Sequence, residues 1–146
     1  MTRNRLKPYL QGALKGTGVL VTAKPPVRNR TRAQALRCAL RGLKESWMSQ
    51  PNFRLHIYFG ACVVTLGLCL RLAVMEWLWI SFAIGLVLFA ELVNTTIEQT
   101  VDLVVGLGPD PLARRIKDVS ASCVLVAACL AVVIGCLTFI PHLLRT

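Results

Sequence analysis

The chain has 146 residues, of which 55% are hydrophobic and only 16% charged, with a net charge of +10. That length allows one domain, and the composition leaves too little polar surface for a soluble one. A basic balance of this size can signal nucleic acid. Here, however, twelve of the 17 Lys and Arg precede residue 55 and three more (Arg114, Arg115, Lys117) share one later segment. Basic residues flanking apolar spans set topology and hold anionic lipid, so no nucleic-acid partner is expected.

Residues 1–31 are basic and contain Pro25-Pro26, and they read as a disordered cytoplasmic tail with little to bury. The weakly apolar stretch 10–23 is interrupted by Lys15 and three glycines and makes a poor signal-peptide core. The remainder, 32–146, reads as one membrane domain. Residues 32–48 carry Leu36, Leu40, Leu43 and Trp47 on one helical face and Arg37, Arg41 and Lys44 opposite. This pattern predicts an amphipathic helix lying in the membrane interface, with Trp47 at headgroup depth.

The linker "SQPNFRLH" (49–56) brings Pro51 to a helix start and leaves Asn52, Arg54 and His56 at the membrane edge. Three membrane helices are predicted, at about 53–72, 76–105 and 118–140, making an all-α membrane protein. Val119–Ile140 is 22 residues without a charge. Leu55–Leu70 is bounded by Arg54 and Arg71, which can snorkel. The apolar run Trp77–Ala90 has only 14 residues, too short to span unless the helix continues through Glu91. A short turn at 71–76 makes the first two spans a hairpin, and "GLGPDP" (106–111) stops the second. The charge bias places the N-terminus and the 105–118 loop in the cytoplasm. The six cysteines show no Cys-x-x-Cys spacing and read as small apolar packing residues.

The second span carries an unusual face. At about 100° per residue, Glu91, Asn94, Glu98 and Asp102 fall within about 80° of arc, with Thr95 at its border. At 1.5 Å per residue, Glu91 lies about 21 Å beyond Trp77, inside the hydrocarbon, while Glu98 reaches the cytoplasmic boundary and Asp102 passes it. A carboxylate at Glu91's depth needs a partner, a cavity or another subunit. Three spans enclose little, which implies an oligomer with sites between chains. The plainer alternative is a stripe of hydrogen bonds holding helices together. Acids at a membrane edge can bind divalent metal, relay protons or attract cations. With Arg114, Arg115, Lys117 and Asp118 returned to the same boundary, they suit a metal-bound polyphosphate. No P-loop, G-x-G-x-x-G or kinase-type catalytic loop is present. A small cation or proton transporter using the acidic stripe is a competing reading, although the Lys117–Asp118 pair has no use in it.

"ELVNTTIEQTVDLV", a short loop and then "KDVSASCVLVAA" together resemble the prokaryotic diacylglycerol kinase family of small membrane lipid kinases. "NFRLH" and "EWLWISFAIGLVL" are most similar to its branch of undecaprenol kinases, and the resemblance runs from about Ala33 to Pro141. It implies a homotrimer with a surface helix and three membrane helices per chain, set in the bacterial inner membrane with active sites between subunits. It also implies transfer of the ATP γ-phosphoryl group, with Mg2+, to a lipid hydroxyl such as that of diacylglycerol or undecaprenol. By position, Glu91 corresponds to the family's general base. Asn94 orients Glu91 or a phosphate oxygen, Glu98 is a metal-binding carboxylate that also meets ATP, and Lys117 and Asp118 contact the nucleotide. Asn52 and Arg54 fall where the lipid headgroup is expected.

The chain also departs from that pattern. Gln50 stands where a second metal-binding Glu is common, and an amide oxygen coordinates without contributing charge. Asp110 replaces a common His near the nucleotide and is a candidate for the missing acid. His56 takes a position that can be Glu and is not expected to be a ligand. Ser120, Ser122 and Cys123 alter a small-residue face near the lipid. Gln50 is the one feature that favours a degenerate kinase serving as a membrane scaffold.

Overall fold

The computed structural model describes residues 31–106 and 108–144. Of the tail predicted over 1–31, only Thr31 is among them, and the stretch 10–23 lies outside the described residues. The chain divides into two units between Ala35 and Leu36, within the first helix, and the contacts that follow belong to the second unit. Four helices make up the described chain: α1 (Arg32–Ser49), α2 (Pro51–Cys69), α3 (Val74–Val105) and α4 (Pro111–Leu143). The last three are long and apolar enough to cross a membrane.

The apolar stripe of α1 (Leu36, Leu40, Leu43, Trp47) stays exposed, so the bundle does not consume it. Near the end of the helix Trp47 meets Tyr58 of α2 edge to face at 5.8 Å, a geometry favoured by the ring quadrupoles.

α2 is shorter than predicted. It stops at Cys69 because Arg71 turns into the left-handed region (φ 54°). The turn closes with Arg71 N–H on Leu68 O at 3.2 Å and Leu72 N–H on Gly67 O at 3.1 Å, the Schellman pattern. Gly67 lies in tight space here: a Cβ would lie 3.0 Å from both Leu72 Cδ1 and the Trp77 ring, which would have to yield by a few tenths of an ångström. α3 starts two residues earlier than predicted, with the Glu76 carboxylate accepting from Ala73 N–H at 2.7 Å.

The third span differs more. The run after "GLGPDP" is the first turns of α4, and the helix begins at Pro111. Asp110 Oδ1 caps it by accepting from Ala113 N–H at 2.8 Å. An Asp N-cap followed by Pro at the first helical position is a start signal as strong as the stop before it. Arg114, Lys117 and Asp118 are therefore held on helical turns.

α4 packs along α3, and α2 packs against α3. At the hairpin end, Leu72, Ile80 and Phe139 form the buried core, with Val63, Trp77 and Ile134 against them. The cysteines of α2 and α4 were expected to fill packing space. Each is exposed in the single chain, with Cys136 lining a groove between the helices, while Gly60, Gly67 and Ala127 take buried positions.

Candidate active site

The polar stripe of α3 is present as spaced, and α4 covers its upper part. Glu91 is 3% exposed, Asn94 6% and Thr95 5%, while Ser120 of α4 is 4% exposed. Glu91 keeps little exposed surface within a single chain, yet among the described residues its carboxylate accepts no hydrogen bond, so the partner expected at that depth is not supplied by the bonds of this chain. Ser120 faces the stripe.

One chain of hydrogen bonds links the two helices. Ser120 Oγ donates to Asn94 Oδ1 at 2.6 Å, and Asn94 Nδ2 donates to Glu98 Oε1 at 3.0 Å. Asn94 was expected to orient Glu91 or a phosphate oxygen. Its amide instead holds Glu98, one turn on, where i,i+4 side chains meet. The Glu91 carboxylate lies within electrostatic range of Glu98 and of His56 on α2. His56 also lines an apolar groove of about 570 Å³ that includes Gly60, Ile80, Val87 and Phe139.

Toward the α3–α4 loop the stripe continues in Asp102, whose Oδ1 accepts from Lys117 Nζ at 2.5 Å, both groups half-buried. Lys117 and Asp102 line a second pocket of about 460 Å³, with Asp110, Arg114 and Asp118 around it. Asp118 and Arg114 approach to 3.9 Å but are largely exposed, so that pair adds little. Gly106 closes α3 with φ 81° and ψ −170°, a conformation essentially restricted to glycine. Asp110 lines the pocket while one of its oxygens caps α4.

The structure thus brings together Glu91, Asn94 and Glu98, and separately Asp102, Lys117, Asp110 and Asp118. Gln50, at the N-cap position of α2, makes no side-chain cap bond. Among the described residues, neither Gln50, Asn52 nor Arg54 forms a side-chain bond to the α3–α4 network, and no three His, Cys, Asp or Glu side chains converge as a metal cluster. The Lys117–Asp102 partnership and the Ser120 link were missed from sequence. Their only local signal is that Lys117 and Ser120 share a face, three residues apart on one helix.

Residues 37–139 match the family described as prokaryotic diacylglycerol kinase. The undecaprenol kinase of Bacillus subtilis is 38% identical over 103 residues, which span 70% of this chain and 83% of that protein. A diacylglycerol kinase of Synechocystis is 36% identical over 110 residues, spanning 75% of this chain and 63% of its own length. A Helicobacter pylori diacylglycerol kinase is 29% identical over 85 residues, 58% of this chain and 66% of that protein. The acidic stripe of α3, the Lys–Asp pair after a capped loop and these matches agree: the chain belongs to the prokaryotic diacylglycerol kinase family and is a membrane lipid kinase.

Proposed function

We propose that the chain transfers the γ-phosphoryl group of ATP, with Mg2+, to the hydroxyl of a membrane lipid, diacylglycerol or undecaprenol. It does so as a homotrimer in the bacterial inner membrane, with the N-terminus cytoplasmic and active sites between subunits. The observation that carries this reading is a line of polar groups running from Glu91, buried among apolar residues, to Lys117 in a pocket at the loop end. Such a line connects a lipid hydroxyl at one end with a soluble nucleotide at the other.

In this reading Glu91 accepts the proton of the lipid hydroxyl. The freed oxygen attacks the γ-phosphorus, a new P–O bond forms, and the bond to the ADP oxygen breaks. Asn94 holds Glu98 in the orientation in which it meets the metal–nucleotide complex. Lys117 leaves Asp102 to neutralise phosphate oxygens, with Asp118 and Asp110 at the pocket wall. Asn52 and Arg54, on the first turn of α2, receive the lipid headgroup.

The donor set suits Mg2+ that arrives on phosphate. Glu98 is a partly buried carboxylate, with the Gln50 amide proposed as a neutral second ligand, and Mg2+ commonly takes one or two carboxylates together with substrate oxygens and water. Bound there, the ion would neutralise charge on the transferring group.

The test is radiolabelled ATP transfer by purified protein in lipid to a panel of diacylglycerol, undecaprenol and ceramide. Labelled lipid is expected with one of the first two and is lost in Glu98→Gln. Full activity in both Glu91→Gln and Glu98→Gln would sink the assignment, and ion flux in liposomes without ATP would replace it with a transporter.

A further inference from the structure

Ser120 is a hydroxyl in the third turn of α4, 4% exposed. It lies 2.6 Å from Asn94 Oδ1 and 2.9 Å from the carbonyl oxygen of Lys117. It has one proton to donate. The Lys117 carbonyl lies within α4, where the helical ladder already supplies it with an N–H. The shorter contact, to Asn94, is therefore the one that needs the hydroxyl.

Asn94 is itself buried, so its carbonyl oxygen has little access to water. While Ser120 holds that oxygen, the –NH2 end of the amide faces Glu98, as the 3.0 Å bond records. With the opposite orientation, Oδ1 would point at a carboxylate. Removing the hydroxyl leaves a buried acceptor without a partner, which drives the amide to rotate or the packing around it to loosen. Either change strips Glu98 of the donor that aims it.

We propose that Ser120 is a positioning residue: acting through Asn94, it sets the orientation of Glu98 and hence the affinity for the metal–nucleotide complex, without touching either ligand. This rests on the kinase reading given above. The bond does not stop at the amide it reaches on α3: through Asn94 it extends to the Glu98 carboxylate one turn on, the group that the kinase reading assigns to the metal–nucleotide complex.

The experiment compares wild type, Ser120→Ala, Ser120→Thr, Asn94→Ala and the double variant as full chains in detergent micelles. One readout is lipid phosphorylation against Mg2+-ATP and, separately, against diacylglycerol. The other is equilibrium binding of Mn2+ with a non-hydrolysable ATP analogue, followed by electron paramagnetic resonance.

Ser120→Ala is expected to raise the half-saturating metal–nucleotide concentration about fivefold in both readouts, the size of one lost buried hydrogen bond. The diacylglycerol KM should hold, and Ser120→Thr, which keeps the hydroxyl, should restore binding to within about twofold. Adding Ser120→Ala to Asn94→Ala should change nothing further, because the two act in series. Unchanged metal–nucleotide binding in Ser120→Ala would overturn the proposal. So would an additive double variant, or equal losses in the Ala and Thr variants, which would mark a packing role. If wild type binds the complex but phosphorylates no lipid, the kinase reading fails while the binding comparison still decides the role of Ser120.

Discussion

α3 and α4 pack against each other, but they are joined differently at their two ends. At the hairpin end the contact is mainly shape: Ile80 (2% exposed), Leu72 and Phe139 interlock, with Thr138 buried beside Phe139 and His142 Nε2 3.6 Å from Glu76 Oε2. At the loop end the contact is a relay of hydrogen bonds, Ser120–Asn94–Glu98 and Lys117–Asp102. In lipid an apolar seam gains little from the hydrophobic effect and relies on close packing. A polar seam fixes which groups face each other, because each buried partner must be matched. The first end thus holds the helices together, and the second aims side chains.

The largest test of this contrast is Glu91→Gln. Losing a general base should lower phosphoryl transfer by about 10²- to 10⁴-fold, with helicity and thermal midpoint unchanged, as read by circular dichroism. A parallel fall in stability would place Glu91 among the structural groups. Next is Ile80→Ala at the apolar end, where the expected loss is about 2–4 kcal/mol of stability. It should be measured by denaturant titration in micelles, with the specific activity of the folded protein retained.

Lys117→Met should act in the opposite sense. The ATP KM should rise about tenfold, equivalent to about 1.4 kcal/mol, with little change in stability, since a half-exposed ion pair contributes modestly. If the variant melts early and binds ATP normally, the Lys117–Asp102 bond belongs with the structural contacts. The smallest effect is expected for Asp110→Ala, about 1 kcal/mol from a lost N-cap. It should appear as faster amide hydrogen exchange in the first turn of α4, together with a mild rise in ATP KM because Arg114 and Lys117 ride on that turn.

Legibility from sequence differed along the same division. The stripe Glu91–Asn94–Glu98–Asp102 was readable because angular position on a single helix follows from spacing alone. The helix start at Pro111 was also written locally, as Asp110-Pro111, but the stop signal in "GLGPDP" hid it. Asn94's choice of Glu98 over Glu91 was not readable, since both lie within reach on the same face. What decides it is Ser120 holding the other end of the amide from α4. The exposure of the cysteines in a single chain was not readable for a similar reason: apolar character does not say which side of a membrane helix faces the bundle.

The sequence by itself determined the membrane class, the three spans, the acidic face and the family. Each of these rests on local properties: length of apolar run, helical periodicity and ordered motifs. The tertiary structure alone decided that Ser120 completes Asn94 and that Lys117 rests on Asp102. Those pairings depend on how far α4 slides along α3 once the loop is closed by Gly106 and capped by Asp110. That register is a property of two helices packed together, and no spacing within either one encodes it.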